Sequence, residues 1–297
     1  PPPSRAGHAA ISRALNGFAL ELAPRVVESL HLGKLLYAGG DDLLAMAAVD
    51  DVLSMAELLR CAYSGIEPPG DVAPGGDLQL GGGHALVGRG DRRRLLRAMG
   101  RRASGSCGIV IAHHTAPLAV VLRELRAAER RAKEAGGRDA VSIALIKRAG
   151  GMTHWTTRWG LRCEAGEAEE PRPSALAIAR ALRDALRAAL TRQTTYHILQ
   201  WLEGIEEAGG AESLVPGLLR ALLVRQFLRH RVPGADEAKL RGLADRIVDL
   251  VHDASLRPCG TGPVAQLRAL FTVAEFLARE SRGGAHGERG SERRRSA

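Results

Sequence analysis

The sequence predicts an α+β fold, in which a mixed ferredoxin-like domain precedes an all-α helical bundle. Two observations lead to this prediction. Helical and strand-like hydrophobic periods alternate up to about residue 160, whereas only the helical period occurs beyond residue 174. Between these parts, residues 164–173 form an acidic stretch that ends with Pro171 and Pro173, and such a stretch is typical of a linker.

The mixed domain is predicted over residues 1–163 and begins with an amphipathic helix at 5–30, for which Ser4 is a suitable N-cap. Further elements follow in the order β-hairpin 34–49, helix 50–63, strand 107–112, helix 117–135 and strand 139–147. With one more strand in front, this order is that of a ferredoxin-like domain followed by an extra helix and strand. Since that strand and an initial Met are missing, we expect the chain to start inside a domain.

Residues 64–93 interrupt this order with many glycines and several prolines. A stretch of this composition is expected to bury no core, so it is predicted to be a flexible insertion. A short basic helix is predicted after it, at 93–102.

The second part of the chain, residues 174–281, predicts a C-terminal helical domain. Apolar residues recur at helical spacing over 174–205, 212–230, 234–254 and 263–280. His154, Trp155 and Trp159, which follow the last predicted strand, are expected to pack the two domains together. The arginine-rich residues 282–297 are predicted to be a disordered tail.

Composition bounds the partners of this protein. The formal net charge is +9, from 42 Lys and Arg against 33 Asp and Glu, which suits a polyanion such as RNA but equally reflects a genome rich in G and C. The arginines at 92–94 and at 101–102 flank the short predicted helix. They could contact RNA phosphates or a neighbouring subunit, or form a solvated face. No apolar run reaches the roughly 18 residues of a membrane span. The four cysteines lie far apart, so we expect no membrane partner and a cytoplasmic location.

The residues that point to chemistry are the consecutive Gly39, Gly40, Asp41 and Asp42 at the predicted hairpin turn. Glycines permit positive φ and leave room for a phosphate near the backbone. Carboxylates are suitable ligands for Mg²⁺, and two metal ions can bridge the oxygens of a nucleotidyl transfer. The same four residues also occur in ordinary turns. The motif alone is therefore compatible with a metal and nucleotide site and with a turn that has no such function.

The residues around this turn resemble a known family. Residues 31–45, with Gly39, Gly40, Asp41 and Asp42 at their centre, are similar to the hairpin of the GGDD palm, or cyclase-like, domain in the large subunit of type III CRISPR effector complexes, particularly the III-B (Cmr) form. Residues 2–15, 106–118 and 147–150 resemble further segments of that second palm. Residues 174–280 are similar to the family's C-terminal domain only as a helical region of comparable length.

The resemblance implies a specific activity and a specific set of partners. Such subunits join ATP into cyclic oligoadenylates when their complex binds target RNA. It implies that Asp41 and Asp42 ligate Mg²⁺ or Mn²⁺, that Gly39 and Gly40 accommodate the triphosphate, and that the expected partners are the other subunits, guide RNA and target RNA. Lys147 is the candidate for neutralising phosphate charge, and Ser4 and His8 are candidates for contacting adenine or ribose.

Other interpretations of the sequence remain open. The family's palm begins with a strand that carries another acidic motif, and the sequence lacks it, so little activity is expected of this chain alone. A non-catalytic nucleotide-binding scaffold is the main alternative. A guanylate cyclase is disfavoured because GGDEF relatives have Glu and Phe where this chain has Asp42 and Leu43. His113 and His114 could contact substrate or simply end a strand.

Overall fold

The computed structural model describes residues 5–72, 74, 76–148, 150–161, 173–207 and 214–280. Ser4, the tail 282–297 and all but the last residue of the linker 164–173 lie outside these ranges. Within them, a unit of helices and three small sheets precedes five consecutive helices. The predicted α+β class is therefore confirmed.

The first helical segment follows the predicted course from residue 5 to residue 30. Helix α1 (Arg5–Gly17) continues into two π-helical turns, Phe18–Leu22 and Arg25–Leu30. These turns flank Pro24, which has no backbone N–H to donate to the helical ladder. The inner face of this segment is formed by buried apolar residues, namely Phe18, Leu22, Ala23, Val26 and Val27.

A two-stranded hairpin follows, as predicted. Strand β1 (Gly33–Gly39) pairs antiparallel with β2 (Asp42–Ala47), and Leu36 forms a bulge in the register. Helix α2 (Val52–Ser64) then crosses beneath the hairpin. Met55 and Leu58 of this helix pack with the hairpin and the first helical segment, whereas Leu53 on another side joins a second hydrophobic cluster.

The prediction of a flexible insertion at residues 64–93 was wrong. This segment contains strands β3 (Leu78–Gly81) and β4 (His84–Val87), and β5 (Arg94–Arg97) completes an antiparallel sheet where a basic helix was expected. Alternate apolar side chains of this small sheet are buried in the cluster of α2 and the first helical segment, and they are Leu78, Leu80, Ala85 and Val87. The glycine content hid this alternation, because glycines form the turns between the short strands.

A third sheet completes the mixed unit. Its strands are β6 (Cys107–Ile111), β7 (Ala140–Ile146) and β8 (Met152–Arg158). Helix α3 (Leu118–Lys133) connects β6 to the parallel strand β7, and β8 returns antiparallel. Strand β8 was not predicted, although its Thr and Trp residues favour β structure. In the described residues, no strand joins this sheet to the β1–β2 hairpin.

The helical part contains α4 (Ala175–Ala188), α5 (Gln193–Glu207), α6 (Pro216–Arg229), α7 (Glu237–His252) and α8 (Pro263–Glu280). The side chain of Ser174 caps α4 by accepting from Ala177 N at 3.0 Å. None of the described helices is both long and apolar enough to span a membrane.

The two parts share one hydrophobic cluster. Trp155 and Trp159 are both buried in it together with residues of α4 to α8. Trp155 Nε1 donates to Gln266 Oε1 at 2.9 Å, and Trp159 Nε1 donates to the carbonyl of Gly105 at 2.8 Å. The predicted packing role of the two tryptophans is therefore confirmed.

The contact between α2 and the small sheet depends on a glycine. Gly65 has a φ of 65°, and a Cβ atom there would lie 2.4 Å from the carbonyl carbon of Gly83. We expect Gly65→Ala to lower the free energy of unfolding by more than Gly40→Ala, for which the positive φ alone costs about 1–2 kcal/mol. At Gly40 a Cβ would meet no atom within 4 Å. Denaturant unfolding of both variants measures the difference, and equal losses would contradict the close packing.

Candidate functional site

The glycine–aspartate turn forms the tip of the β1–β2 hairpin. Gly39 pairs with Asp42, so Gly40 and Asp41 are the two loop residues. Gly40 has a φ of 61°, which glycine adopts without strain. A Cβ at Gly39 would lie 2.5 Å from the Tyr37 hydroxyl. Gly39 therefore makes room for the tyrosine ring, and the open surface predicted beside both glycines is found at Gly40.

The two aspartates are exposed, and each lies near a different helix end. The charge of Asp41 contributes to raising the pKa of Tyr63, after the larger effect of burial of that phenol. The charge of Asp42 contributes to raising the pKa of Lys133, after the hydrogen bond from its ammonium group to Glu129. The charge of Asp41 therefore acts on Tyr63 near the end of α2, and the charge of Asp42 acts on Lys133 near the end of α3.

Lys133 is a candidate site residue that the sequence analysis did not name. It lies in the last turn of α3, where its Nζ donates to Glu129 Oε1 at 2.5 Å. A crossover helix between parallel strands must end near the start of the second strand. Lys133 comes shortly before β7, and the starts of β6 and β7 lie side by side. Its position in the sequence therefore places it at the edge of the sheet where both strands begin.

A polar network stabilises the end of α2 beneath this site. Arg60 Nε donates to Asp139 Oδ1 at 2.7 Å, and Ser64 Oγ donates to the carbonyl of Ala103 at 2.8 Å. Arg60 also donates to Ser64. This network joins α2 to the segments that precede β6 and β7.

Cys107, at the start of β6, does not add a reactive group to this end of the sheet. Burial raises the pKa of its thiol to about 12. The thiol is therefore neutral near pH 7, and it is neither a nucleophile nor a metal ligand in that form.

The other candidate residues lie on elements for which no contact with the turn is seen in the described part of the chain. Lys147 follows the far end of β7, about 20 Å along the strand from Ala140 at roughly 3.3 Å per residue. His113 and His114 follow the same far end of β6, where their rings lie 4.2 Å apart and His113 Nδ1 is 2.8 Å from Thr115 Oγ1. His8 is exposed near the start of α1, and Ser4 lies outside the described residues. Nucleotide contacts by Lys147, Ser4 and His8 thus stay predictions.

The carboxylates of the turn fit part of a metal site. Asp41 and Asp42 are hard oxygen ligands of the kind that Mg²⁺ and Mn²⁺ prefer. In the described part of the chain, no three His, Cys, Asp or Glu residues are grouped closely enough to hold a metal ion. The two aspartates would therefore share a metal ion with oxygens from a triphosphate, water or another polypeptide segment.

Comparisons with known proteins give one matching family model and two similar proteins. Residues 3–87 match the family model described as the second palm domain of Cas10/Cmr2. The chain is 26% identical over 274 residues to the CRISPR system Cmr subunit Cmr2 of Pyrococcus furiosus, an alignment that covers 91% of this chain and 26% of the relative. It is 36% identical over 120 residues to the corresponding Cmr2 of Saccharolobus solfataricus, covering 40% of this chain and 10% of that protein.

These matches confirm the resemblance to the large subunit of Cmr-type CRISPR complexes. The matched palm segment contains α1, the hairpin with its aspartates, α2 and the first strands of the small sheet. The chain spans about a quarter of the length of the Pyrococcus relative and a tenth of the Saccharolobus relative.

Proposed function

We propose that this chain supplies the second palm of a CRISPR effector complex and that this palm takes part in the synthesis of cyclic oligoadenylates from ATP. The reaction would be activated by target RNA bound to the complex. The observation that carries the proposal is the turn itself, which presents Asp41 and Asp42 to solvent within a segment that matches the second palm domain.

Each group at the turn has a definite part in this proposal. Asp41 and Asp42 would hold Mg²⁺ or Mn²⁺, which neutralises phosphate charge and orients the attacking and leaving oxygens. The backbone at Gly40 leaves space for a triphosphate oxygen. Lys133, on the side of Asp42, would balance the negative charge of the nucleotide.

The alternatives give different products in one assay. The assembled effector complex is supplied with target RNA, Mn²⁺ and either ATP or GTP, and the products are separated by chromatography. Cyclic oligoadenylates from ATP support the proposal. Nucleotide binding without any product supports the non-catalytic scaffold, and a cyclic dinucleotide from GTP supports the guanylate cyclase.

We expect Lys133 to contribute more to nucleotide binding than Lys147. Lys133→Gln removes the cation beside Asp42, and the loss of one such charged contact, about 1.5 kcal/mol, corresponds to a rise of roughly tenfold in the KM for ATP. Lys147→Gln, the matched change at the far end of β7, should leave the KM within about twofold if phosphate contacts are confined to the hairpin end. Initial rates over a range of ATP concentrations compare the two variants. The reverse order of effects would favour Lys147.

A further inference from the structure

The small sheet β3–β4–β5 has a buried face and an exposed face, which differ sharply in chemistry. Side chains of a strand alternate between its two faces, and Leu78, Leu80, Ala85 and Val87 face the core. The opposite face carries the remaining side chains of the three strands and of the residue before β5, which are Gln79, His84, Leu86, Arg93, Leu95 and Arg97. We refer to this set as the outer face.

The arginines of the outer face are free of ion pairs in the described part of the chain. Arg93 and Arg97 are exposed and contact no carboxylate there, and the same holds for Arg101 and Arg102 just beyond β5. By contrast, Arg94 points to the other face and pairs with Glu21 of the first helical segment. Because side chains alternate along β5, Arg94 forms an ion pair on one face, whereas Arg93 and Arg97 lie on the other face without an ion pair among the described residues.

One acidic group lies beside this surface. Among the described residues the three strands place no Asp or Glu on the outer face, but the carboxylate of Glu67 is 3.5 Å from the position that a Cβ at Gly81, on this face, would take. The nearest acids along the chain are Asp77, in the loop before β3, and Asp91, in a short 3₁₀ helix before β5. Asp77 is already paired with Arg89, and the arginines at 93, 97, 101 and 102 outnumber Glu67 and Asp91 by four to two.

The composition of the outer face selects one kind of partner. Guanidinium groups bind phosphate oxygens through paired N–H donors. Arg93 and Arg97 lie on the same face of β5, and Arg101 and Arg102 are the central residues of the turn that follows, which the bond from Ala103 N to Gly100 O closes at 2.9 Å. No Phe, Tyr or Trp is present on the face, so bases would have no aromatic platform to stack on. This pattern fits contact with the backbone of a nucleic acid, without reading its sequence.

We propose that the outer face, extended by Arg101 and Arg102, binds the phosphate backbone of single-stranded nucleic acid. The segment between β5 and Arg101 is fixed to the end of α2, because the backbone N–H of Met99 donates to the carbonyl of Tyr63 at 3.0 Å. The binding itself requires neither ATP nor a metal ion, so it stands apart from the proposed synthesis.

The proposal is tested by the binding of fluorescent 20-nucleotide single-stranded RNA, and of DNA with the same sequence, to the full chain at several salt concentrations. For Arg93→Gln/Arg97→Gln we expect affinity at 100 mM salt to fall roughly tenfold or more, and the slope of log K against log salt to become shallower by about 1.4, at about 0.7 per phosphate contact. The RNA and DNA arms show which nucleic acid is preferred.

Two controls separate the outer face from net charge and from folding. Arg192→Gln/Arg225→Gln removes two exposed arginines of the helical part and should leave the salt slope unchanged. Arg94→Gln changes the same strand on its other face and should also leave it unchanged. Equal losses in both double variants, no loss in Arg93→Gln/Arg97→Gln, or no binding of either nucleic acid would each overturn the proposal. In the last case, binding of polyglutamate would point to an acidic protein partner instead.

Discussion

The Asp41→Ala/Asp42→Ala variant is expected to reduce cyclic oligoadenylate formation from ATP by at least about 10²–10³-fold, the range found when a single group that stabilises transition-state charge is removed. Both substitutions lie at an exposed turn, and they take away the two carboxylates proposed to hold the metal ions. Because no core contact changes, the chain should fold and assemble as before. Product formed in the assembled complex with Mn²⁺ and target RNA is the measurement.

The matched control for this variant is Asp249→Ala, which removes an exposed acid from α7 in the helical part. It should leave the rate of synthesis unchanged. Size-exclusion chromatography checks that the turn variant still assembles. An assembled turn variant that retains most of the activity would refute a metal-binding role for Asp41 and Asp42. The single substitutions then show whether both carboxylates are needed or only one.

The largest expected effect on stability concerns a buried ion pair between the palm and the helical part. Arg180 of α4 contacts Glu57 of α2 at 2.6 Å and Asp71 at 2.8 Å. Glu57 is fully buried and also accepts a hydrogen bond from Ser174. Arg180→Met would leave the charge of Glu57 buried without its partner, which typically costs about 3–5 kcal/mol. We expect a loss of this size in the free energy of unfolding, measured with denaturant at pH 8.

This loss should depend on pH in a defined direction. Burial raises the pKa of Glu57, and this effect outweighs the opposing effects of Arg180 and Ser174. Without Arg180 the pKa in the folded state rises further, whereas in the unfolded state it stays near its ordinary value. The folded state then binds more protons than the unfolded state, so stability falls as the pH rises above the unfolded pKa. Arg180→Met should therefore be less destabilising at pH 5 than at pH 8.

Two further variants show whether the buried charge is the cause. Glu57→Gln/Arg180→Met removes both charges and should be less destabilising than Arg180→Met alone. Arg279→Met breaks an exposed pair with Glu275 in α8, and such pairs contribute about 0.3–0.5 kcal/mol. If Arg180→Met cost no more than Arg279→Met, or if its effect did not change with pH, the uncompensated charge of Glu57 could not be the reason.

The parts of the fold that depend on local sequence were predictable from the sequence. The helix from residue 5 to residue 30 and the helices of the C-terminal part have apolar residues at helical spacing. Likewise, Gly40 lies at the tip of a hairpin because a positive φ is needed there. Asp41 and Asp42 lie at this tip because they directly follow Gly40 in the sequence.

The small sheet was not predictable in the same way. Its strands have only four residues each, and glycines surround them. Such strands become stable when their alternate side chains are buried against α2 and the first helical segment, which is a long-range effect. The outer face with Arg93 and Arg97 exists only because the opposite face is covered.

The sequence by itself determined the helices, the hairpin and the carboxylates at its tip, because neighbouring residues specify each of them. Only the tertiary structure decided which residues surround those carboxylates. It placed Lys133, at the end of the crossover helix α3, where the charge of Asp42 acts on it, left Lys147 at the far end of β7, and paired Glu57 with Arg180 although more than a hundred residues separate them. Contacts of this kind arise from packing between distant elements, and no local periodicity encodes them.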